Sequence, residues 1–178
     1  MRIQLRPNVL AKVFLAATLA LISSTLATTA ASADTSGVLS HYFDPGTEIT
    51  PSTNITCLPG GSPIHGSATF GTQTGDIWHG TTSYDYCLYP STTNPGQFAY
   101  TGRETFTGSV DGCGTGSFTW IGAGAATVGS PTPGGGVWYI IPGSGTGQLS
   151  NASGSGTDTA YVTLTLQNSG EFDGTFAC

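Results

Sequence analysis

Trp138 to Gly156 reads WYIIPGSGTGQLSNASGSG. An aromatic and aliphatic run stops at Pro142. Gly143, Gly145 and Gly147 then fall at every second position, and a polar turn follows. Glycine at strict period two does not suit a helix. It suits a strand lying close against something bulky, or a sharply coiled strand of a closed barrel. Neither this run nor Gly112-Cys113-Gly114-Thr115-Gly116 is followed by a lysine and a helix, so neither reads as a phosphate loop. The stretch is therefore expected to be a tightly coiled barrel strand.

Working outward, the clearest strand is Gln97–Val110. One face carries Phe98, Tyr100, Gly102, Glu104, Phe106, Gly108 and Val110. The other carries Ala99, Thr101, Arg103, Thr105, Thr107 and Ser109. This apolar/polar alternation marks a half-buried strand, and its length suits one wrapped around a barrel. Asp111-Gly112 is a hairpin turn signal. Gly116–Gly122 reads as the next strand, with Phe118 and Trp120 on one face. Ala123–Gly136 reads as a low-complexity loop. Gly136–Ile141 is apolar on both faces and is expected to be covered on both sides or packed beneath the N-terminal arm. Thr159–Leu166 alternates with Ala160, Val162, Leu164 and Leu166 inward. Asn168-Ser169-Gly170 reads as a turn before a closing strand, Glu171–Ala177. Upstream, Val38–Phe43, Ile64–Gly71 and Asp76–Leu88 read as strands, and Pro90–Gly96 as a loop. The sum is about eight strands and no helix, and an all-β, single antiparallel barrel is the expected fold.

The N-terminal 33 residues read as a secretory signal peptide: Arg2, Arg6 and Lys12, an apolar run Val13–Ile22, and Ala31-Ser32-Ala33 before Asp34. The apolar run is short for a membrane span, where about 20 residues are expected. Residues 34–63 form a Ser/Thr/Pro-rich arm with one short strand, and 64–178 the barrel domain. Past residue 33, ten acids face one basic residue, Arg103, for a charge of −9. Such a surface disfavours nucleic acid and anionic membranes as partners. Four cysteines, Cys57, Cys87, Cys113 and Cys178, fit two disulfides in a secreted domain. Cys57–Cys87 with Cys113–Cys178 is the preferred pairing, because the second bridge would pin a C-terminus that otherwise frays. Asn54 and Asn151 head glycosylation-type triplets, which matter only in a eukaryotic secretory pathway.

GRETFTGSVDGCGTGSF (Gly102–Phe118), followed by the Trp138–Gly156 stretch, resembles the core of a small bacterial family of unknown function with the allene-oxide-cyclase-like barrel. The resemblance rests on Glu104, Phe106 and Gly108, then Gly116, Ser117 and Phe118, then Trp138 with Pro142–Gly147, and finally Gly154 and Gly156. It covers about half of the chain past residue 33 and is distantly similar to allene oxide cyclases and dirigent proteins. It implies a barrel and allows a cofactor-independent isomerase or cyclase. The secretion signal, the cysteines and the long arm depart from the family pattern.

Glu104 is the one charge on an apolar face. Inside a barrel, desolvation would raise its pKa and suit it to general-acid work or to anchoring a ligand. Tyr100, Phe106, Phe118, Trp120 and Trp138 are the expected apolar walls around it. His41, His65, His79 and Asp76 lack metal-ligand spacing, and Ser62, Ser83 and Ser144 lack a nucleophile elbow. No metal and no cofactor is expected. Tyr84-Asp85-Tyr86 and Tyr89 read as strand residues. Three function classes follow: a secreted barrel binding a small apolar molecule, an isomerase or cyclase with Glu104 as acid, or a structural protein with a filled core.

Overall fold

The computed structural model describes residues 34–178. The expected signal peptide lies outside the described residues. Ten strands follow in chain order: β1 Thr35–Asp44, β2 Thr50–Pro51, β3 Ser62–Phe70, β4 Trp78–Pro90, β5 Gln97–Val110, β6 Gly114–Thr127, β7 Gly134–Ile140, β8 Thr146–Gly147, β9 Ser153–Val162 and β10 Asn168–Ala177. Every ladder is antiparallel. The order β1-β10-β9-β7-β6-β5-β4-β3 closes on itself through β1 and β3, where Tyr42 faces Phe70 and Phe43 faces Thr69. Eight staves make the barrel, while the short β2 and β8 lie outside this circuit against β3 and β6. Closure gives every stave two neighbours, with β1 and β3 meeting over two residue pairs, and so limits the free sheet edge that invites aggregation.

β5 spans the residues its alternation predicts. Gly102, Glu104, Phe106 and Val110 are buried, and Thr101, Arg103 and Thr107 are exposed. The turn at Asp111-Gly112 follows, with Gly112 at φ 78° and the Cys113 N–H donating to the Val110 carbonyl at 3.0 Å. The expected arm over residues 34–63 contributes β1, ten residues long and one of the two staves that close the barrel. Beyond Ile49, which lines the lumen cavity, the arm pairs with the edge of β3 through β2 and reaches the outer face of β4. There Ser52 donates to Asp85 at 2.6 Å, and the outward Arg103 donates to the Asn54 carbonyl at 3.2 Å.

Four expectations need correction. The Gly143–Gly147 run is not a barrel strand. It turns at Pro142-Gly143 and runs along β6 as a strap. The Ile141 N–H donates to the Thr119 carbonyl at 2.8 Å, and the Ser144 hydroxyl donates to the same carbonyl at 3.1 Å. A Cβ on Gly145 would overlap the Leu149 carbonyl, so close backbone approach explains that glycine. The strap ends by inserting Leu149 fully into the core.

Second, Ala123–Gly136 is not one loop. Ala123–Thr127 extends β6, and Gly134–Gly136 begins β7. Gly124 pairs with Tyr100 on one side and with Gly136 on the other. The small residues there leave room for side chains crossing the lumen. Third, the outer face of β7 is not covered: Val137 and Tyr139 are exposed, and only Trp138 and Ile140 point inward.

Fourth, β9 stops at Val162, not Leu166, and Asn168–Gly170 belongs to β10 rather than to the turn. The Thr163 hydroxyl accepts from the Gln167 N–H at 3.1 Å, and Thr163 and Thr165 share a hydroxyl hydrogen bond at 2.9 Å. Such local side-chain bonds give the backbone an alternative to the ladder. Leu164 is 82% exposed, and Leu166 takes a positive φ of 65°.

Two disulfides join Cys57 to Cys87 and Cys113 to Cys178. The first ties the arm to β4, and the second ties the C-terminal residue to the β5–β6 turn. Two such bonds fit an oxidising, non-cytoplasmic environment. No helix of the described residues is long and apolar enough to cross a membrane.

Candidate functional site

The barrel interior has two unlike halves. One is filled by aromatic rings. Trp78 lies at its centre, with ring centroids 5.1 Å from Phe118, 5.4 Å from Phe176 and 5.6 Å from Trp138. Phe70, Phe106, Phe172, Val110 and Leu149 belong to the same cluster. The indole N–H groups of Trp78 and Trp120 have no hydrogen-bond partner among the described residues. Both are packed among aromatic rings, a setting in which N–H groups make weak contacts with ring faces.

The other half is open. A cavity of about 440 Å³ extends from the plug toward the end of the barrel marked by Pro90, Phe98, Val128 and Leu166. Ligand cavities run from about 300 to 1,000 Å³, so its size suits a small molecule. Tyr100, Glu104, Trp120 and Trp138 of the expected site line it. Phe106 and Phe118 do not. They pair with one another across β5 and β6, two residues deeper than Glu104, and belong to the filled half.

Glu104 sits where the two halves meet. Its ladder partners are Tyr84 on β4 and Trp120 on β6. Glu104 is 7% exposed, and its Oε2 accepts from the Tyr86 hydroxyl at 3.2 Å. Burial pushes its pKa up to about 7, against the pull of hydrogen bonds from Thr82 and Tyr86. The charges of Asp158 and Asp44 push the same way.

The sequence reading missed two further carboxylates, Asp44 and Asp158, and three tyrosines, Tyr42, Tyr84 and Tyr86. Tyr84 donates to Asp44 Oδ2 at 2.6 Å, and Tyr100 donates to Asp158 Oδ2 at 2.8 Å. Tyr42 donates to the Thr159 carbonyl at 3.1 Å and to Asn168 Oδ1 at 3.2 Å. The lumen thus holds three acid–phenol pairs: Asp44–Tyr84, Glu104–Tyr86 and Asp158–Tyr100. The last two adjoin through the rings of Tyr86 and Tyr100, edge to face at 5.7 Å. Burial, and then the nearby carboxylates, raise all four phenols above the ordinary tyrosine range, so they remain neutral donors. Burial also raises Asp158.

Glycines make this arrangement fit. A Cβ on Gly66 would overlap the Tyr84 hydroxyl, and one on Gly124 or Gly136 would overlap that of Tyr100. Strand parity could have found the missed groups. Tyr84 and Tyr86 share a face with the apolar Trp78, Asp158 with Ala160 and Val162, and Asp44 with Tyr42.

The histidines stand apart on the outer surface. His41 Nδ1 lies 2.7 Å from Asp76, His65 Nδ1 3.1 Å from Asp85, and His79 Nε2 3.7 Å from Asp111. Among the described residues no group of three or more histidine, cysteine or acidic side chains is placed to hold a metal ion.

Fold and site together define a small disulfide-bonded barrel, plugged by aromatics at one end and hollow and acid-lined at the other. The chain belongs to the family of proteins of unknown function designated DUF3224, which matches residues 65–162. That span runs from β3 to the end of β9 and includes Glu104 and Asp158. A solved structure of a DUF3224-family protein of unknown function from Shewanella oneidensis MR-1 is similar. The two share 18% identity over 83% of this chain and 97% of that one, with a TM-score of 0.49. No curated protein matches the chain.

Proposed function

We propose that this is a secreted protein that binds a small, largely apolar molecule in the open half of its barrel. The cavity carries the reading. Its walls are mostly apolar and aromatic, with a few convergent polar groups, the usual make-up of a small-molecule site. The N-terminal signal and the disulfides support export. The test is titration with the neutral, environment-sensitive dye N-phenyl-1-naphthylamine. The reading expects saturable uptake of one dye per chain in wild type, and loss of it in Ala160→Trp, which fills the cavity. Uptake that survives Ala160→Trp, or none in wild type, overturns it.

A second reading is favoured by Glu104. A buried carboxyl with a pKa of about 7, bonded to a phenol, is poised to give or take a proton. This suits a cofactor-independent isomerase or cyclase of the allene-oxide-cyclase or dirigent type, which the barrel resemblance allows. Under that reading the walls fold a flexible substrate into its reactive conformer. Glu104→Gln then abolishes turnover while leaving dye uptake intact. Under simple binding it alters affinity alone.

A further inference from the structure

The lumen contains three carboxylates and no positive charge. Asp44, Glu104 and Asp158 line the cavity, and no lysine, arginine or histidine does. Among the described residues the single arginine, Arg103, is exposed on the outer face and bonded to the Asn54 carbonyl. The three histidines face Asp76, Asp85 and Asp111 outside the barrel. Among the described residues no positive side chain lines the cavity with these acids, so only a proton or a bound cation can neutralise them. Each receives a phenol hydrogen bond and one more, Asp44 from the Gly46 N–H at 2.7 Å, Glu104 from Thr82 and Asp158 from its own backbone N–H, but neutral donors bring no positive charge. Buried acids without a counter-charge are rare in proteins. A carboxylate also offers about four acceptor positions, of which these bonds leave about half open.

The shape of the cavity agrees with its charge. Glu104 lies at its inner limit beside Trp120, and the rings of Tyr86 and Tyr100 stand between it and Asp158. Aromatic faces attract organic cations, more strongly where water is excluded. Toward the mouth the walls become Leu88, Phe98, Val128 and Val162, with no charge. The site is built as an anionic, aromatic inner end and an apolar outer end. Its foundation is this enclosed space and its two-ended lining rather than a cluster of acids on a surface.

We propose that the lumen selects a small organic ammonium ion, its charged head among Asp44, Glu104 and Asp158 and its apolar body toward the mouth. The inference rests on the ligand-binding reading above and narrows it from apolar molecules in general to amines.

The test compares three probes of similar size and different charge, 2-phenylethylamine, 2-phenylethanol and 3-phenylpropanoate. Each competes at pH 8 against bound N-phenyl-1-naphthylamine on the wild-type protein. A charge-assisted hydrogen bond is expected to make the ammonium at least about tenfold stronger as a competitor than the alcohol. The carboxylate is expected to be the weakest of the three. An alcohol that competes as well as the amine, or a carboxylate that competes best, overturns the amine proposal and leaves lumen binding standing. Failure of the dye itself to bind overturns both. The double variant Glu104→Gln, Asp158→Asn is expected to lose the preference for the amine, read as the ratio of amine to alcohol competition. Retention of that preference contradicts the proposal. If the double variant does not fold, the wild-type ranking still decides.

Discussion

Glu104 faces Trp120 directly across the β5–β6 ladder. This pair marks the level at which the barrel changes from filled to hollow. Below it, Phe106 and Phe118 form the next inward-facing pair and are fully buried. Above it, Gly102 faces Gly122, and Tyr100 faces Gly124. The exchange of bulky pairs for glycine-containing pairs along the same two strands produces both the plug and the cavity.

The pKa of Glu104 gives the barrel a pH-dependent stability. Asp44 and Tyr42 from β1, Tyr84 and Tyr86 from β4, Tyr100 from β5 and Asp158 from β9 all act on it or on one another. Its folded pKa of about 7 lies above the ordinary glutamate value of 4.5. The unfolded chain therefore releases this proton first. The contribution is fully present below pH 4.5 and is lost as pH rises toward 7. Glu104→Gln is expected to flatten this slope and to raise stability at pH 8 by about 1–3 kcal/mol. Urea denaturation at pH 5 and pH 8 measures it. An equal loss of stability at both values contradicts the assignment.

Asp76 works in the opposite direction. It is buried on the outside of the barrel, where desolvation pushes its pKa up, but hydrogen bonds from His41 and the Gln73 N–H outweigh this and hold it down. Its stabilising contribution is present above the ordinary value of 3.8 and is lost as pH falls through the lower folded value. Asp76→Asn is expected to cost about 1–3 kcal/mol at pH 7. The gap to wild type should narrow in acid. A constant gap from pH 7 down to pH 2 contradicts this account.

Gly124 belongs to the site although it carries no side chain. Gly124→Val is expected to displace Tyr100, break its bond to Asp158 and cost about 1–3 kcal/mol. Dye affinity should fall with it. A variant with unchanged melting temperature and unchanged dye binding shows that the Tyr100 arm is not held this way.

Leu149 separates the two halves by experiment. It is fully buried in the aromatic cluster and does not line the cavity. Leu149→Ala is expected to cost about 2–5 kcal/mol, the usual range for a buried leucine. At temperatures where the variant remains folded, dye uptake should match wild type. A dye affinity that collapses in step with stability contradicts the division of the interior.

The bridge Cys113–Cys178 closes a separation of 65 residues. Replacing both cysteines by serine is expected to lower stability by about 2–5 kcal/mol, chiefly through a freer unfolded chain. Guanidinium denaturation of the two forms measures this. No change in midpoint contradicts a stabilising role for the bridge.

Sequence alone served best where side chains alternate between unlike classes. β5 carries large apolar or charged groups on one face and hydroxyls or Arg103 on the other, so its limits and the inward aim of Glu104 could be read directly. The same logic failed where both faces are small. Ala123–Thr127 and Gly134–Gly136 look like loop by composition, yet their smallness is what admits Tyr100 into the lumen. The period-two glycines of Gly143–Gly147 were misread for a related reason. Glycine signals close approach without saying to what, and here the neighbour is the strap's own Leu149 carbonyl together with β6. Asp158 was legible through its parity with Ala160 and Val162, but an acid in a run of glycine, serine and threonine resembles surface.

The central claim is that the open half of the barrel is a ligand site. A crystal structure of the wild-type protein soaked in N-phenyl-1-naphthylamine tests it most directly. The account predicts one dye molecule inside the barrel, against Tyr100 and Trp138, with the aromatic plug unmoved. Dye bound only on the outer surface, or a lumen closed by collapsed side chains, would contradict it.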